Sequence, residues 1–558
     1  MEAVNQPDAC ILAIDLGTST CKVGLVTTSG EVVALESEPI GLHLLAGGGA
    51  EQDPDEWWEA IRKACGRLLG STFVGRRRII AVACTAQWSG TVAVDRHGRP
   101  LRRAIIWMDS RGAPYARRIT RGPINIQGYG VDKLWRWVRK TAGIPAASGK
   151  DSIAHILYIK YEEPDIYRLT YKFLEPKDYL NLRLTGQLAA SYDSIALHWV
   201  TDNRNPSAVC YDGELLRLAG VHREKLPDLK GALEILGGLQ PQAALELGLE
   251  PGIPVVVGTP DVQSAALGSG ATRDYQAHLY VGTSSWLTCH VPYKKTDLFR
   301  NMATLPSAIP GRYFVANEQE TAGACLTFLR DNILFYSGGL GSLQPGGLPG
   351  QASSPPVNAY RTCRASDAYR IFDELAAQAP PGSGGVIFTP WLYGERTPVE
   401  DRLVRGGFYN LALATTLPHL VRAVYEGVAY NTRWLLEAVE AFVRRRLDPI
   451  RIVGGGARSD VWCQIFADVL NRSIERVADP LQANVRGTAL LAAVALQRIT
   501  FEEVADRVAI ASVYRPRPEN RQRYDQLYRA FRRLYRTGRR IYADLNRPGC
   551  PLDGRLGP

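Results

Sequence analysis

Two short turns rich in glycine and hydroxyl side chains constrain the fold of this chain most strongly. The first, Gly17-Thr18-Ser19-Thr20, follows residues 11–16, which are apolar except for Asp15, and the second, Gly282-Thr283-Ser284-Ser285, follows residues 278–281. An apolar strand that turns at a glycine predicts a β-hairpin, whose exposed backbone N–H groups and hydroxyls can surround phosphate oxygens. A plain hairpin turn would explain either one alone. Two such turns facing each other predict a nucleotide clamp.

Asp15 stands at the end of the first predicted strand, directly before the first turn. A carboxylate beside a phosphate-binding turn is suited to Mg²⁺, which prefers oxygen ligands. Lys22, just past the turn, either reaches a phosphate or points to solvent. The expected phosphate-binding residues of the two turns are Gly17, Thr18, Thr20, Gly282 and Thr283.

The length of 558 residues is too great for one hydrophobic core, so we expect two domains of roughly 250 residues each. The first domain opens as a β-meander, and the second repeats that theme from about residue 271. The predicted units are residues 1–265, residues 266–515, and a C-terminal helix and tail at residues 516–558. Predicted strands lie at 11–15, 22–27, 31–35, 79–85, 286–291 and 450–453, and predicted helices at 54–69, 417–443 and 518–546.

A segment rich in Gly, Pro and Ser at residues 337–358 is predicted to be a long loop. It is either a mobile flap or a tolerated insertion, and we favour the insertion.

Charge and hydropathy exclude several classes of protein. No stretch reaches the roughly 18 apolar residues that a membrane helix requires, and the first residues lack the regions of a signal peptide. The net charge of +10 comes from arginine clusters that lie far apart, at 76–78, 444–446 and 532–540. Such clusters are typical of solvated helix faces rather than of a nucleic-acid footprint. We therefore expect a cytoplasmic protein without nucleic-acid or membrane partners.

Eight short motifs occur in a fixed order along the chain. They are Asp15-Leu16-Gly17-Thr18, Glu51-Gln52-Asp53-Pro54, Trp107-Met108-Asp109-Ser110-Arg111, Pro176-Lys177-Asp178-Tyr179, Gly258-Thr259-Pro260-Asp261, Gly394-Glu395-Arg396-Thr397-Pro398, Arg422-Ala423-Val424-Tyr425-Glu426-Gly427 and Gly454-Gly455-Gly456-Ala457-Arg458. Together these motifs resemble the FGGY family of carbohydrate kinases, within the superfamily of actin, hexokinase and Hsp70-type ATPases. The resemblance covers about residues 10 to 500. It implies an α/β protein of two ribonuclease H-like (actin-like ATPase) domains flanking a central cleft, with ATP and Mg²⁺ as cofactors.

Asp261 is the candidate catalytic base. An apolar strand at 255–257 delivers a Gly-Thr-Pro turn, and Asp261 then starts a helix of small residues. A helix N-cap would explain an aspartate at this place, whereas the resemblance implies the catalytic carboxylate. The family has Gly before this Asp and Asn after it, so Pro260 and Val262 are departures.

The acceptor side is implied by two loops of the same family. Gln87 and Trp88 occupy the loop that the family writes Gly-Gln-Met-His-Gly. Xylulokinases generally carry the Met-His form, and Trp-Ser stands here, which puts xylulose itself in doubt. Trp107 and Asp109 fit the family's Trp-x-Asp-x-Arg loop, where an aromatic face lies against the sugar and polar groups take its hydroxyls. Arg111 is either part of an ion pair or a substrate contact.

A third glycine turn follows the strand at 450–453 and allows close backbone approach to adenine and ribose. A tight strand-to-helix turn would also explain its glycines, whereas the resemblance implies nucleotide binding by Gly455, Gly456 and Arg458. The later segment at 484–489 is interpreted as packing behind this pocket.

These features predict an ATP-dependent carbohydrate kinase, xylulokinase-like in type, that phosphorylates a hydroxyl of a small ketose, polyol or sugar acid. The alternatives are an inactive regulator that binds sugar and nucleotide on the same fold, and a chaperone-type ATPase. Retention of both Asp15 and Asp261 argues against the inactive regulator. The sequence does not name the sugar, and a homodimer is an expectation of the family without a readable interface.

Overall fold

The computed structural model describes residues 9–71, 78–334 and 365–547. The predicted loop at 337–358 lies outside these residues. The helices are α1 (Pro54–Gly70), α2 (Ala113–Thr120), α3 (Val131–Thr141), α4 (Ser152–Glu162), α5 (Pro164–Leu169), α6 (Pro176–Thr185), α7 (Gly213–Ala219), α8 (Pro241–Leu247), α9 (Asp261–Gly268), α10 (Gly323–Phe328), α11 (Ala365–Gln378), α12 (Leu417–Val443), α13 (Asp460–Leu470), α14 (Ala483–Ala495), α15 (Phe501–Arg507) and α16 (Pro518–Asn546).

The strands fall into two main sheets and several small ones. They are β1 (Ala9–Leu16), β2 (Thr20–Thr27), β3 (Val32–Pro39), β4 (His43–Leu45), β5 (Gly49–Gln52), β6 (Arg78–Ala86), β7 (Val92–Val94), β8 (Ala104–Ile105), β9 (Asn125–Ile126), β10 (Tyr129–Gly130), β11 (Lys172–Leu174), β12 (Ala189–Ser191), β13 (Thr201–Asp202), β14 (Cys210–Tyr211), β15 (Asp228–Lys230), β16 (Ile235–Gly238), β17 (Pro254–Val256), β18 (Ala277–Val281), β19 (Ser285–Thr288), β20 (His290–Val291), β21 (Thr296–Asp297), β22 (Met302–Pro306), β23 (Tyr313–Ala316), β24 (Ile387–Thr389), β25 (Gly407–Tyr409), β26 (Ile450–Val453), β27 (Ile474–Val477) and β28 (Ile510–Tyr514).

The first main sheet has the strand order β16-β17-β6-β1-β2-β3. Strands β1, β2 and β3 form the predicted antiparallel meander, while β6 runs parallel to β1 and β17 parallel to β6. Parallel strands end at one edge of a sheet, where open α/β sheets bind their ligands. The first turn, the acceptor loop at Gln87 and the turn before Asp261 therefore leave the sheet at the same edge.

The second main sheet has the order β19-β18-β26-β27-β28, and β18, β26 and β27 are parallel. The second and third glycine turns leave the adjacent ends of β18 and β26. The strand predicted at 286–291 is wrong in its extent, because the chain changes sheets at Cys289: Leu287 pairs with β18, whereas His290 pairs with β23 of a separate four-stranded sheet.

Two helices, α9 and α14, join the two main sheets. Apolar residues of α14 pack on the face of the first sheet, in one buried cluster with Ile11 and Ala13 of β1. The helices cross at glycines: a Cβ on Gly268 would lie 1.7 Å from the carbonyl oxygen of Ala483, and one on Gly487 would lie 1.8 Å from that of Ser264. The predicted division at residue 265 falls inside α9.

The helix α16 packs on the core of the second domain through the aromatic residues that its spacing predicted. Phe531 and Tyr535 lie 5.1 Å and 5.5 Å from the ring of Trp391, and Tyr524 is fully buried. The bounds of α1, α12 and α16 agree with the prediction to within one residue. None of the helices in the described ranges is long and apolar enough to cross a membrane.

Candidate active site

The first turn is joined to the acceptor loops by its threonine. The N–H of Gly17 donates to the carbonyl of Thr20 (3.0 Å), which closes the predicted hairpin. The hydroxyl of Thr18 accepts from Nε1 of Trp107 (2.9 Å) and donates to Oε1 of Gln87 (3.2 Å). The Gly17 N–H and the Thr18 hydroxyl would have to give up these internal hydrogen bonds to bind a phosphate. The phosphate contacts of Gly17, Thr18 and Thr20 therefore stay predictions.

Asp15 is buried beneath the first turn, with 3% of its surface exposed. Nζ of Lys22 lies 3.7 Å from its carboxylate and 3.5 Å from the carbonyl of Leu481, so this side chain points toward Asp15 and the start of α14 rather than straight into solvent. Nδ2 of Asn484 donates to Asp15 (3.3 Å), while its Oδ1 is buried without a hydrogen-bond partner among the described residues. The sequence interpretation of this segment as packing did not predict the contact of Asn484 with Asp15, because no local feature of the sequence marks this amide.

Asp261 begins α9, as predicted, but Pro260 occupies the N-cap position, so the N-cap explanation of Asp261 is wrong. The Asp261 carboxylate accepts from the N–H of Val262 (2.8 Å) and from the backbone N–H of Trp88. Burial, followed by the negative charge of Asp15, raises the pKa of Asp261 to about 8. The structure therefore brings the predicted base, the predicted metal ligand and the acceptor loop together.

Gln87 and Asp109 lie behind the surface of the acceptor side. The Gln87 amide is 2% exposed and donates to Oε1 of Gln52 (2.6 Å) in addition to its bond with Thr18. The carboxylate of Asp109 accepts from the N–H of Ala50 (2.9 Å) and from three groups of Arg111 (2.6–2.9 Å). Arg111 is thus an ion-pair residue in this structure. Substrate contact by Gln87 or Asp109 stays a prediction, since each holds a loop in place through internal bonds.

Trp88 is partly buried, and its Nε1 donates to the carbonyl of Ser194 (2.9 Å). The departure Ser89 adopts a positive φ of 64°, and its hydroxyl donates to the carbonyl of Lys150 (2.7 Å). The acceptor loop is therefore anchored to two segments that lie far from it in sequence.

A charged cluster spans the two domains beside Trp107. Nζ of Lys150 lies 6.0 Å from the Trp107 ring, 5.1 Å from the ring of Tyr393 and 3.5 Å from Oε2 of Glu320. Arg396 pairs with Glu320 (3.2 Å) from the other side. Burial lowers the pKa of Lys150, and the charge of Arg396 lowers it further. Lys150 carries no local sequence signal, because only the fold brings it next to Glu320 and Tyr393.

The second turn approaches the same carboxylates. The N–H of Gly282 donates to the carbonyl of Ser284 (2.9 Å), and Thr283 is exposed at the tip. The ring of Tyr280 stacks on Trp286 at 4.0 Å, and a Cβ on Gly282 would lie 2.4 Å from the Tyr280 ring. Burial and then the charges of Asp261 and Asp15 raise the pKa of Tyr280, which places the end of β18 near both groups.

The third turn packs against the second. A Cβ on Gly454 would lie 2.6 Å from the carbonyl oxygen of Val281, and one on Gly456 would lie 2.5 Å from the Val281 side chain. A Cβ on Gly455 would meet no atom within 4 Å, and Gly455 and Arg458 are exposed. Packing therefore accounts for Gly456, while Gly455 and Arg458 offer an open surface for the predicted nucleotide contact.

The donor set fits Mg²⁺ as a weakly protein-bound ion. The described residues contain no cluster of three or more His, Cys, Asp or Glu side chains that would hold a metal by themselves. Mg²⁺ is commonly bound by one or two carboxylates, with water and substrate phosphates completing its shell. Asp15 supplies one carboxylate. Its negative charge raises the pKa of Asp261, and a divalent cation would relieve the repulsion between the two carboxylates.

Comparison with known proteins gives consistent matches along the chain. The FGGY family of carbohydrate kinases matches through its N-terminal domain at residues 10–268 and its C-terminal domain at residues 277–496. A xylulose kinase of Staphylococcus epidermidis is 28% identical over 548 residues, which cover 96% of this chain and 98% of that protein. A gluconokinase of Bacillus subtilis is 26% identical over 536 residues, which cover 96% and 97%.

Solved structures show the same fold. A ligand-bound xylulose kinase from Lactobacillus acidophilus superposes with a TM-score of 0.81 at 22% identity, covering 96% of this chain and 100% of that one. A gluconate kinase from Lactobacillus acidophilus gives a TM-score of 0.80, also at 22% identity and with the same coverage. The expected pair of ribonuclease H-like domains flanking a central cleft is thereby confirmed.

Proposed function

Because this chain belongs to the FGGY family of carbohydrate kinases, we propose that it transfers the γ-phosphate of ATP to a primary hydroxyl of a small open-chain ketose, polyol or sugar acid, with Asp261 as the base. Membership of the family makes the chain a carbohydrate kinase that uses ATP. The acceptor and the roles of individual residues are the proposal. The observation that carries it is that Asp261 lies near Asp15 of the first turn and accepts a hydrogen bond from the backbone N–H of Trp88 in the predicted acceptor loop.

Asp261 accepts the proton of the acceptor hydroxyl as that oxygen attacks the γ-phosphate in line. The N–H groups of Val262 and Trp88 orient its carboxylate. The first and second turns bind the phosphates, and the third turn carries the adenosine through Gly455 and Arg458. Asp15 would hold Mg²⁺, which would supply positive charge against the charge that develops on the phosphates. Asn484 and Lys22 fix Asp15 for that role.

Three observations bear on the acceptor. The relatives are named for xylulose, a neutral pentulose, and for gluconate, an aldonate. Trp88 and Ser89 replace the Met-His pair of the family's loop, which argues for an acceptor other than xylulose itself. The ammonium of Lys150 beside the Trp107 ring favours an acidic acceptor, although Glu320 partly neutralises it. Neutral pentuloses and aldonates therefore belong in one panel.

The experiment measures ADP release by the purified protein with ATP and Mg²⁺, with and without a panel of pentuloses, polyols and aldonates. A kinase gives ADP release that depends on one acceptor and yields a phosphorylated product. An inactive regulator binds a sugar without ADP release. ADP release that is unaffected by every sugar would favour a chaperone-type ATPase and overturn the proposal.

We also propose a cytoplasmic location, because ATP and sugar phosphates are metabolised there. A homodimer stays a prediction of the family resemblance, and the mass measured by light scattering tests it. A mass close to the 61.4 kDa of one chain would contradict the dimer without affecting the kinase assignment.

A further inference from the structure

A fully buried ion pair lies behind the turn that carries Asp261. Lys177 and Asp178, at the start of α6, are 1% and 0% exposed, and the Lys177 ammonium donates to the Asp178 carboxylate. Burying two charges costs several kcal/mol per ion, so a buried pair is weak evidence for a stabilising role. The mechanism described above uses neither residue.

The ammonium of Lys177 also donates to the carbonyl of Val257 (3.0 Å), and Nδ2 of Asn181 donates to the same oxygen (2.7 Å). Val257 is the last residue before Gly258, whose φ of +75° starts the turn. A Cβ on Gly258 would lie 2.4 Å from the carbonyl oxygen of Cys84. The beginning of the turn is therefore held between α6 and β6.

The rest of the turn is held by groups that lead back to the same pair. Thr85 Oγ1 donates to the carbonyl of Thr259 (2.8 Å), and the Thr259 hydroxyl donates to Asp193. Asp193 accepts from the N–H of Ser194 (3.0 Å). The polar groups around the turn thus form one buried network.

Ser194 closes the network onto the ion pair and onto the acceptor loop. Its hydroxyl donates to Asp178 (2.8 Å), and its carbonyl accepts from Nε1 of Trp88 (2.9 Å). The backbone N–H of Trp88 in turn contacts the Asp261 carboxylate. The Lys177–Asp178 pair therefore supports the carboxylate from two directions, through Val257 and through Ser194.

We propose that Lys177 is a positioning residue for phosphoryl transfer: its ammonium fixes the carbonyl of Val257, and Asp178 fixes Ser194, so that Asp261 and the acceptor loop keep one geometry. This proposal rests on the assignment of Asp261 as the base. A base must lie within hydrogen-bond reach of the proton it takes, and a misplacement of about 1 Å lowers a rate by up to about 10²-fold. An ammonium suits this position because it can donate to the Asp178 carboxylate and to the Val257 carbonyl at the same time.

The test uses the full chain with Lys177→Met and Asp178→Asn combined, so that no charge is left buried without a partner. The Asn retains an oxygen that accepts from Ser194. With ATP and either D-xylulose or D-gluconate, we expect kcat to fall by roughly 10- to 10²-fold and both KM values to stay within about twofold. In an Asp261→Asn background the same double change should lower kcat by less than about twofold, because the base that it positions is already absent.

The matched control is Arg422→Met combined with Glu426→Gln on α12. Arg422 is also a buried cation that pairs with a carboxylate and donates to two backbone carbonyls, those of Ala376 and Ala379, in the second domain. We expect this pair to lower the unfolding temperature and to leave kcat per folded molecule unchanged.

Equal loss of kcat in the native and the Asp261→Asn backgrounds would overturn the proposal, since a general loss of structure acts alike in both. An unchanged kcat in the native background would overturn it as well. Full activity of Asp261→Asn alone would instead refute the base assignment. If the double variant does not fold, Asn181→Leu removes the second donor to Val257, and the same loss of kcat, confined to the native background, is expected from it.

Discussion

At Asp261, two influences on one carboxyl group oppose each other. Its place in the first turn of α9 favours the ionised form through the helix dipole, and burial together with Asp15 favours the neutral form. The pKa of about 8 shows that burial and Asp15 prevail. A neutral carboxyl cannot accept a proton, so the group becomes a base only above this pH or when positive charge enters the site.

Asp261→Asn should lower kcat by roughly 10²–10⁴, with ATP affinity little changed, because other residues supply binding. Steady-state ADP release and ATP titration measure the two quantities. Asp212→Asn is the matched control, since Asp212 caps α7 through the N–H of Leu215 (2.9 Å) and asparagine caps equally well. Near-normal turnover of the Asp261 variant would rule out its role as base.

The raised pKa of Asp261 predicts a pH dependence of both activity and stability. The kcat/KM for ATP should rise with pH and level off above about 8, because the free enzyme then carries the carboxylate. The folded state holds a proton that the unfolded state releases near pH 4, so the contribution of this group to stability is greatest at low pH and falls as the pH rises to about 8. The unfolding temperature of Asp261→Asn minus that of the native protein should therefore increase as the pH rises from 5 to 9. A constant difference over that range would show ordinary ionisation of Asp261.

Trp107→Ala tests whether the Trp107 ring forms a wall of the acceptor site. The ring lies beside Lys150, and its Nε1 bonds to Thr18, so we expect KM for the acceptor to rise by at least about tenfold, the equivalent of about 1.4 kcal/mol. Slow ATP hydrolysis without sugar should persist. Trp135→Ala is the control, because Trp135 is 66% exposed on α3. Equal loss of both activities of the Trp107 variant would identify the ring as a core residue.

At the scale of elements, the crossing of α9 and α14 places two glycines where side chains do not fit. Gly487→Ala should lower the free energy of unfolding by about 1–3 kcal/mol through overpacking, because its Cβ would lie 1.8 Å from the Ser264 carbonyl oxygen. Gly66→Ala in α1 is the control: its Cβ meets no atom within 4 Å, and it should stabilise by about 0.5–1 kcal/mol. Thermal unfolding compares them, and a Gly487 variant as stable as the native protein would contradict the close crossing.

The elements that the sequence predicted well are those with local signals. Pro54 and Pro518 stand in the first turn of their helices, and glycine turns end β1 and β18. What the sequence did not predict depends on contacts between distant residues. Nothing local distinguishes Asn484 from a packing residue, and nothing local shows that Lys177 is buried. The sheet change at Cys289 was missed because no glycine or proline interrupts residues 286–291.

At the scale of the whole molecule, the first and second glycine turns belong to different sheets, while the domains touch on the side of the predicted acceptor loops. Nζ of Lys294 donates to the carbonyl of Val138 (2.7 Å), and the hydroxyl of Thr296 donates to the carbonyl of Ala142 (2.6 Å). Lys150 and Glu320 add an ion pair across the same boundary. Closure around two ligands would therefore pivot on α9 and α14, with these contacts changing.

Nucleotide that bridges the two turns should draw the domains together, and an acceptor sugar should favour the closed form further. Small-angle X-ray scattering should give a smaller radius of gyration with sugar and a non-hydrolysable ATP analogue than for the free protein. An unchanged radius, with saturation by both ligands demonstrated independently, would contradict closure and leave the chemistry of Asp261 in place.

The packing of α14 on β1 also has a consequence during synthesis on the ribosome. Ile11 and Ala13 are synthesised about 470 residues before Ala483, where the helix that covers them starts. Ribosomes add about 5–20 residues per second, so the apolar face of β1 stays without α14 for on the order of 20–100 seconds. During this interval, misassembly of the incomplete chain competes with folding. Lower growth temperature or chaperone supply should raise the yield of native protein more than any change at the active site.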